Sequence, residues 1–182
     1  MAMISLQIPN DIGRMFKEID IPGKRDATDH ITLFYLGDEI DIKKVIKIIP
    51  VIFEAVNGMG PFSVSCNKIT TFPMGKNGYP VIGEIKSPEL IKLRNKLKKL
   101  FDKNKIKYDN KFPEYKPHLT LSYSEDEVDD IKLKNFDWKV SSISLYGGDV
   151  SDTRLFVNFP FSLEIKKKAE LIADIMFRFC RE

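Results

Sequence analysis

His118-Leu119-Thr120-Leu121 is the stretch that decides how this 182-residue chain is read, because it has a twin in His30-Ile31-Thr32-Leu33. The chain contains two histidines, and each opens a His-x-Thr-Leu. Chance would put both histidines of such a composition in this context on the order of once in 10⁵ chains. In an extended strand, residues i and i+2 share a face. Each motif therefore sets an imidazole beside a hydroxyl, and sends Ile31 and Leu33, or Leu119 and Leu121, to an apolar opposite face. Two such strands facing one cleft supply two proton-transfer groups and two hydroxyl donors sized for a phosphate.

Around the motifs the pattern repeats. Met3–Ile8 alternates as a half-buried strand, which places Ser5 and Gln7 toward the cleft if it neighbours a histidine strand. Pro9-Asn10-Asp11 opens a short helix, and a polar loop over residues 21–29 leads into the first histidine strand. A helix follows over 40–57, with Pro50 inside it as a source of a kink. Strands are expected at 62–69 and 79–85, joined by a Gly- and Pro-rich loop over 70–78, either a lip on the cleft or a plain turn. Ser87-Pro88-Glu89 carries a cap, a proline at the first helical position and an acid near the positive end of a helix. Its apolar stripe is Leu90, Leu93, Leu97, Leu100 and Phe101. Two more strands are read at 138–146 and 154–159, separated by Gly147-Gly148-Asp149. The order strand, helix, histidine strand thus occurs twice, as expected of an internal duplication.

Composition places the chain among ordinary globular proteins, with 43% hydrophobic and 30% charged residues. No apolar run is long enough for a membrane span, and the N-terminus lacks the plan of a signal peptide. Cys66 and Cys180 stand far apart without metal-ligand spacing, which suits reduced thiols and a cytoplasmic location. The net charge is only +3. Between Lys92 and Lys116, however, ten Lys or Arg face three acids. That excess is either a solvated helix face or a field that draws a polyanionic substrate toward the second motif.

These residues resemble the 2H phosphoesterase superfamily, which includes the bacterial 2′-5′ RNA ligase-like proteins and cyclic phosphodiesterases. The resemblance rests on residues 30–37 (His-Ile-Thr-Leu-Phe-Tyr-Leu-Gly) and 116–121 (Lys-Pro-His-Leu-Thr-Leu). It is supported by the strand ending in Pro9, by Gly60-Pro61-Phe62 and by Ser142-Ile143-Ser144-Leu145. Many members carry a basic residue soon after the second motif, where this chain has Ser122-Tyr123. The resemblance implies an α+β fold of two duplicated lobes, with antiparallel sheets flanking a central cleft and helices outside. It implies one domain over residues 1–163; the tail over 164–182 is an addition to that pattern, read from the helical spacing of Ile165, Ala169, Ile172, Ile175, Met176 and Phe179 as a C-terminal helix packed on the body, or else as a dimer contact. It also implies chemistry on cyclic phosphates or phosphodiesters without metal or cofactor, with His118 as base and His30 as acid.

The residues support that chemistry independently. In-line displacement at phosphorus needs a base for the attacking water and an acid for the leaving oxygen, and imidazole titrates near working pH. Thr32 and Thr120 can donate to the phosphoryl oxygens as charge builds. No His/carboxylate cluster with metal spacing and no Ser or Cys nucleophile motif is present. Phe34 is expected to continue the cleft face, as a base-stacking ring or as cleft floor, with Ser122 in the matching place of the second motif. Tyr115 and Lys116 are candidates for contacts to base and phosphate. The expected partner is a nucleotide or RNA substrate, met by a monomer that does not engage membranes. RNA 2′-5′ end joining and a non-catalytic nucleotide- or RNA-binding module are the alternatives.

Overall fold

The computed structural model describes residues 2–26, 30–38, 42–111, 114–148 and 154–161. The C-terminal helix expected over residues 164–182 lies outside them. The described elements run β1 (Ala2–Gln7), α1 (Asn10–Lys17), β2 (Lys24–Arg25), β3 (His30–Gly37), α2 (Ile42–Val56), β4 (Phe62–Thr71), β5 (Tyr79–Lys86), α3 (Pro88–Lys103), β6 (His118–Ser124), β7 (Ile131–Val140), β8 (Ser142–Gly148) and β9 (Arg154–Pro160). The class is α+β, and every described strand pairing is antiparallel.

The strands follow the order β7-β4-β5-β6-β3-β1-β8-β9, with β2 added on β6. This order has an internal symmetry. Each histidine strand, β3 or β6, lies beside the strand that precedes its helix, β1 or β5, with two further strands beyond. The two half-sheets meet at β3 and β6, whose ladder consists of one pair, Ile31 opposite Leu119. A seam held so lightly lets the half-sheets splay, and the two histidine strands border it.

Two of the helices, α1 and α3, cross between the halves. Phe16 of α1, which follows β1, packs edge-on against Phe136 and Trp138 of β7 in the other half, at ring-centroid distances of 4.9 and 6.4 Å. Phe101 of α3, which follows β5, lies 5.0 Å from Phe34 of β3. One apolar cluster thus includes Ile31, Leu33, Leu119 and Leu121 together with the α3 stripe of Leu90, Leu93, Leu97 and Phe101. The start of α3 matches its sequence signal: Ser87 Oγ accepts from Leu90 N–H at 3.3 Å, and Pro88 stands at the first position.

Two sequence expectations change. Residues 138–146 are not one strand. They straddle the junction at Ser141 between β7, which starts at Ile131, and β8. β7 was hidden because it is an edge strand: Lys132, Lys134, Asp137 and Lys139 face water there, as charges on sheet edges commonly do. The polar loop over 21–29 contains β2, whose two residues pair with Tyr123 and Ser122. In the exposed acidic run over 125–130, Asp130 pairs with Lys68 at 2.7 Å and accepts from Thr70 Oγ1 at 2.5 Å. Pro50 lies on the exposed side of α2, which runs from Ile42 to Val56 as one helix.

Candidate active site

The seam between the half-sheets gathers the two motifs. With Ile31 opposite Leu119 in an antiparallel pair, one step either way sets His30 opposite Thr120 and Thr32 opposite His118. Ile31 and Leu119 are buried in the core, so the four polar side chains share the other, half-exposed face. Each histidine stands beside its own threonine along the strand and beside the other motif's threonine across the seam.

His118 is the better defined of the two. Its Nδ1 lies 2.8 Å from the carbonyl oxygen of Lys116. A carbonyl only accepts, so Nδ1 carries the proton and Nε2 holds the free lone pair. The edge of Phe72 packs on the imidazole at 4.8 Å between ring centroids. Burial pushes the pKa of His118 below the ordinary 6.5, partly offset by the hydrogen bond to Lys116. The ring is therefore neutral at pH 7 with its acceptor nitrogen available. Thr32 Oγ1 rests 4.0 Å from Met3 Sδ, a weak acceptor.

Neighbouring strands complete the face. Gln7 is opposite His30 and Ser5 opposite Thr32, and Gln7 Nε2 donates to Ser5 Oγ at 3.3 Å; Ser5 is fully buried, however, because β1 is a central strand covered on both faces and not the half-buried strand its alternation suggests. In the other half Glu84 is opposite His118 and Ile82 opposite Thr120. Phe72 belongs to the stretch expected to form either a lip or a turn. It is a lip at this point, because its ring meets His118.

Phe34 and Ser122 do not lie on the cleft face, and one physical cause explains both. Opposite β1, Ile4 pairs with Phe34 and Ser5 with Thr32, so Leu33 is an extra residue. Opposite β5, Val81 pairs with Ser122 and Ile82 with Thr120, so Leu121 is an extra residue. Each motif carries a β-bulge at its leucine, which interrupts the alternation. Phe34 turns into the core against Phe101 and Tyr108. Ser122 is fully buried and donates to the Pro22 carbonyl at 2.7 Å. After each bulge the alternation resumes with a half-exposed tyrosine, Tyr35 or Tyr123. The repeat is thus His-x-Thr-Leu-x-Tyr, two residues longer than His-x-Thr-Leu.

Tyr115 and Lys116 act differently from what their chemistry suggests. The Tyr115 hydroxyl donates to the backbone carbonyl of Thr32 at 3.0 Å, which ties the segment before β6 to β3. The Arg94 guanidinium stacks between the rings of Phe34 and Tyr115, 4.3 and 4.9 Å from their centroids. Burial lowers the pKa of Arg94, with the two nearby tyrosines opposing that shift. The Lys116 side chain is exposed, 3.6 Å from Glu114, while its carbonyl orients His118. The lysines of α3 stand behind the sheet, since that helix covers the apolar side of β3 and β6. Cys66 is buried, and burial pushes its thiol up to about 11, so it is not a nucleophile at neutral pH.

The 2′-5′ RNA ligase superfamily model matches residues 16–151, most of the chain and both motifs. The chain belongs to the 2′-5′ RNA ligase superfamily. Among solved structures, TT0787 of Thermus thermophilus superposes with a TM-score of 0.69 at 14% identity, over 90% of this chain and 100% of that one. LigT of E. coli, solved with 3′-AMP, superposes with a TM-score of 0.67 at 18% identity, over 89% and 98% of the two chains. LigT has also been solved with ATP, at 19% identity and a TM-score of 0.62 over 87% and 93%. At these identities the likeness speaks for the fold. No curated protein matches the chain. The superfamily is one of LigT-like phosphoesterases, and its two-lobed fold is the one described above. No helix among the described residues is long and apolar enough to cross a membrane.

Proposed function

We propose that this superfamily member is a metal-independent phosphoesterase that opens 2′,3′-cyclic phosphates or cleaves 2′-5′-linked or cyclic oligonucleotides. The observation that carries this reading is the juxtaposition of His30 with Thr120 and of Thr32 with His118 on one half-exposed face. A phosphate centred over that square meets a histidine on each side and a hydroxyl beside each histidine. His118, neutral with Nδ1 held by the Lys116 carbonyl, takes the proton of the attacking water at Nε2. The water oxygen bonds to phosphorus as the bond to the leaving ribose oxygen breaks. His30, entering protonated, gives its proton to that oxygen. Thr32 and Thr120 donate to the non-bridging oxygens, where charge builds. Cytoplasmic location and action as a monomer complete the reading.

The chain's own side chains supply acid, base and phosphate donors. Among the described residues, no three His, Cys, Asp or Glu side chains gather as a metal-binding group. The test is product analysis with cyclic mononucleotides, 2′-5′ and 3′-5′ oligomers and cyclic dinucleotides, before and after exhaustive chelation. Turnover of at least one substrate that survives chelation is expected. Loss on chelation with recovery on Mg²⁺ or Mn²⁺ would replace this mechanism with a metal-assisted one. Binding without turnover across the panel would leave a nucleotide-binding module. Longer products from two RNA ends would identify the reverse, end-joining reaction.

A further inference from the structure

One backbone pair, Ile31 with Leu119, is all that the β3–β6 ladder contributes to the register of the two motifs. A side chain crosses the same seam. The hydroxyl of Tyr115, just before the second motif, donates to the Thr32 carbonyl of the first at 3.0 Å. On the other flank, the Pro117 carbonyl accepts from Ile85 N–H of β5 at 3.0 Å. The segment before His118 is therefore fastened twice, to β3 by a side chain and to β5 by its backbone. Lys116 lies between the two fastenings, and the proline after it restricts it to extended backbone. Its carbonyl is the partner of His118 Nδ1 at 2.8 Å.

Tyr115 is itself held from behind. Its ring stacks on the Arg94 guanidinium, whose other face meets the Phe34 ring. Arg94 is only 7% exposed, and its Nε has no hydrogen-bond partner among the described residues. Burying a cation without an acceptor is costly, and the two ring faces offset that cost here. Burial also pushes the Tyr115 hydroxyl above its ordinary pKa, so it stays a donor at working pH. The first motif has no counterpart to this tyrosine, since Ala27 stands at the matching distance before His30.

We infer that Tyr115 is a positioning residue: by fastening the Lys116 carbonyl it fixes the Nδ1–H tautomer of His118, and so ties the free nitrogen of that ring to the strand of the other motif. The kinetic consequence rests on the phosphoesterase reading, whereas the effect on the tautomer does not. The experiment uses Tyr115→Phe, which keeps the ring on Arg94 and deletes the hydroxyl. With two histidines in the chain, NMR of the imidazole nitrogens shows two rings, and His118→Ala assigns them. Spectra are taken at about pH 8, above the ordinary imidazole pKa. Wild-type His118 should show a protonated Nδ1 and a bare Nε2. In Tyr115→Phe its two nitrogen shifts should move toward each other as the tautomers mix. On the preferred substrate kcat should fall about five- to tenfold, the scale of one hydrogen bond, with KM changed by less than about twofold. Tyr108→Phe removes another hydroxyl beside Phe34, one that donates to Asp102 at 3.1 Å, and should move neither readout. Unchanged His118 shifts in Tyr115→Phe, or mixed tautomers with wild-type kcat, overturn the positioning role. An equal response in Tyr108→Phe does the same. If the tautomers mix as expected but wild-type protein turns over no substrate, Tyr115 still positions His118 and the phosphoesterase reading falls.

Discussion

β3 and β6 carry the same motif, the same bulge and the same tyrosine beyond it, yet their surroundings differ at every other point. Beside His30 stands Gln7, an exposed amide; beside His118 stand Glu84 and the edge of Phe72. Beside Thr32 is Ser5, and beside Thr120 is Ile82. After the bulge, Phe34 fills the core under Arg94, whereas Ser122 reaches the Pro22 carbonyl. The two halves thus share the positions of histidine and threonine and differ in what surrounds them. A duplicated scaffold gives symmetry of place. The acid and base roles proposed above require asymmetry of environment, and the neighbouring strands and loops differ enough to supply it.

The largest expected effects come from removing the shared part. His30→Ala and His118→Ala should each lower kcat by roughly 10²–10⁴. The double variant should lose less than the product of the two, because the groups act as a unit. Either single variant within about threefold of wild type on the preferred substrate would break the two-histidine mechanism.

The bulge-following residues probe the difference in packing. Phe34→Ala removes a ring that touches Phe101, Tyr108 and Arg94, and should cost about 3–5 kcal/mol in denaturant unfolding. Ser122→Ala removes one buried hydrogen bond and should cost about 1–2 kcal/mol. Equal costs would mean that the two strands pack alike beyond their bulges.

A smaller effect separates the histidines by pH. His118 is held below 6.5 by burial, so the unprotonated base persists as pH falls, and the acid limb of kcat/KM attributed to it should lie below 6.5. Phe72→Ala opens this histidine to water, weakens that cause and should move the limb upward, with kcat near pH 7 changed by less than about threefold. A limb that does not move would show that Phe72 does not set the environment of His118.

The smallest effect concerns the basic helix. Its lysines stand behind the sheet, so the substrate steering suggested by their number acts through field alone. Replacing Lys98, Lys99 and Lys103 with Gln should change kcat/KM for oligonucleotides by less than about twofold at physiological salt, where the Debye length is about 8 Å. A larger loss, growing with substrate length, would restore the steering role.

Much of this protein is legible in its sequence, for reasons of short range. The period of two across His30-Ile31-Thr32 and His118-Leu119-Thr120 puts each imidazole beside a hydroxyl, with apolar residues on the other side. The stripe from Leu90 to Phe101 and the Ser87-Pro88 start define α3 because capping and amphipathicity are local. The second occurrence of strand, helix and histidine strand carries the two-lobed plan.

Other features depend on partners distant in the chain. Whether Phe34 and Ser122 face the cleft is decided by bulges, and a bulge exists only relative to the strand opposite, β1 or β5. β7 needs the edge of the sheet to make sense of its lysines, and β2 needs β6 to be a strand at all. Helices α1 and α3 pack across the halves because the apolar sides of β7 and β3 accept Phe16 and Phe101. Phe72 reaches His118 only once β4 and β5 bring its turn to the seam. The motif determines which chemical groups are available; long-range pairing decides which face they share and what shields them, since register and burial are properties of two segments together.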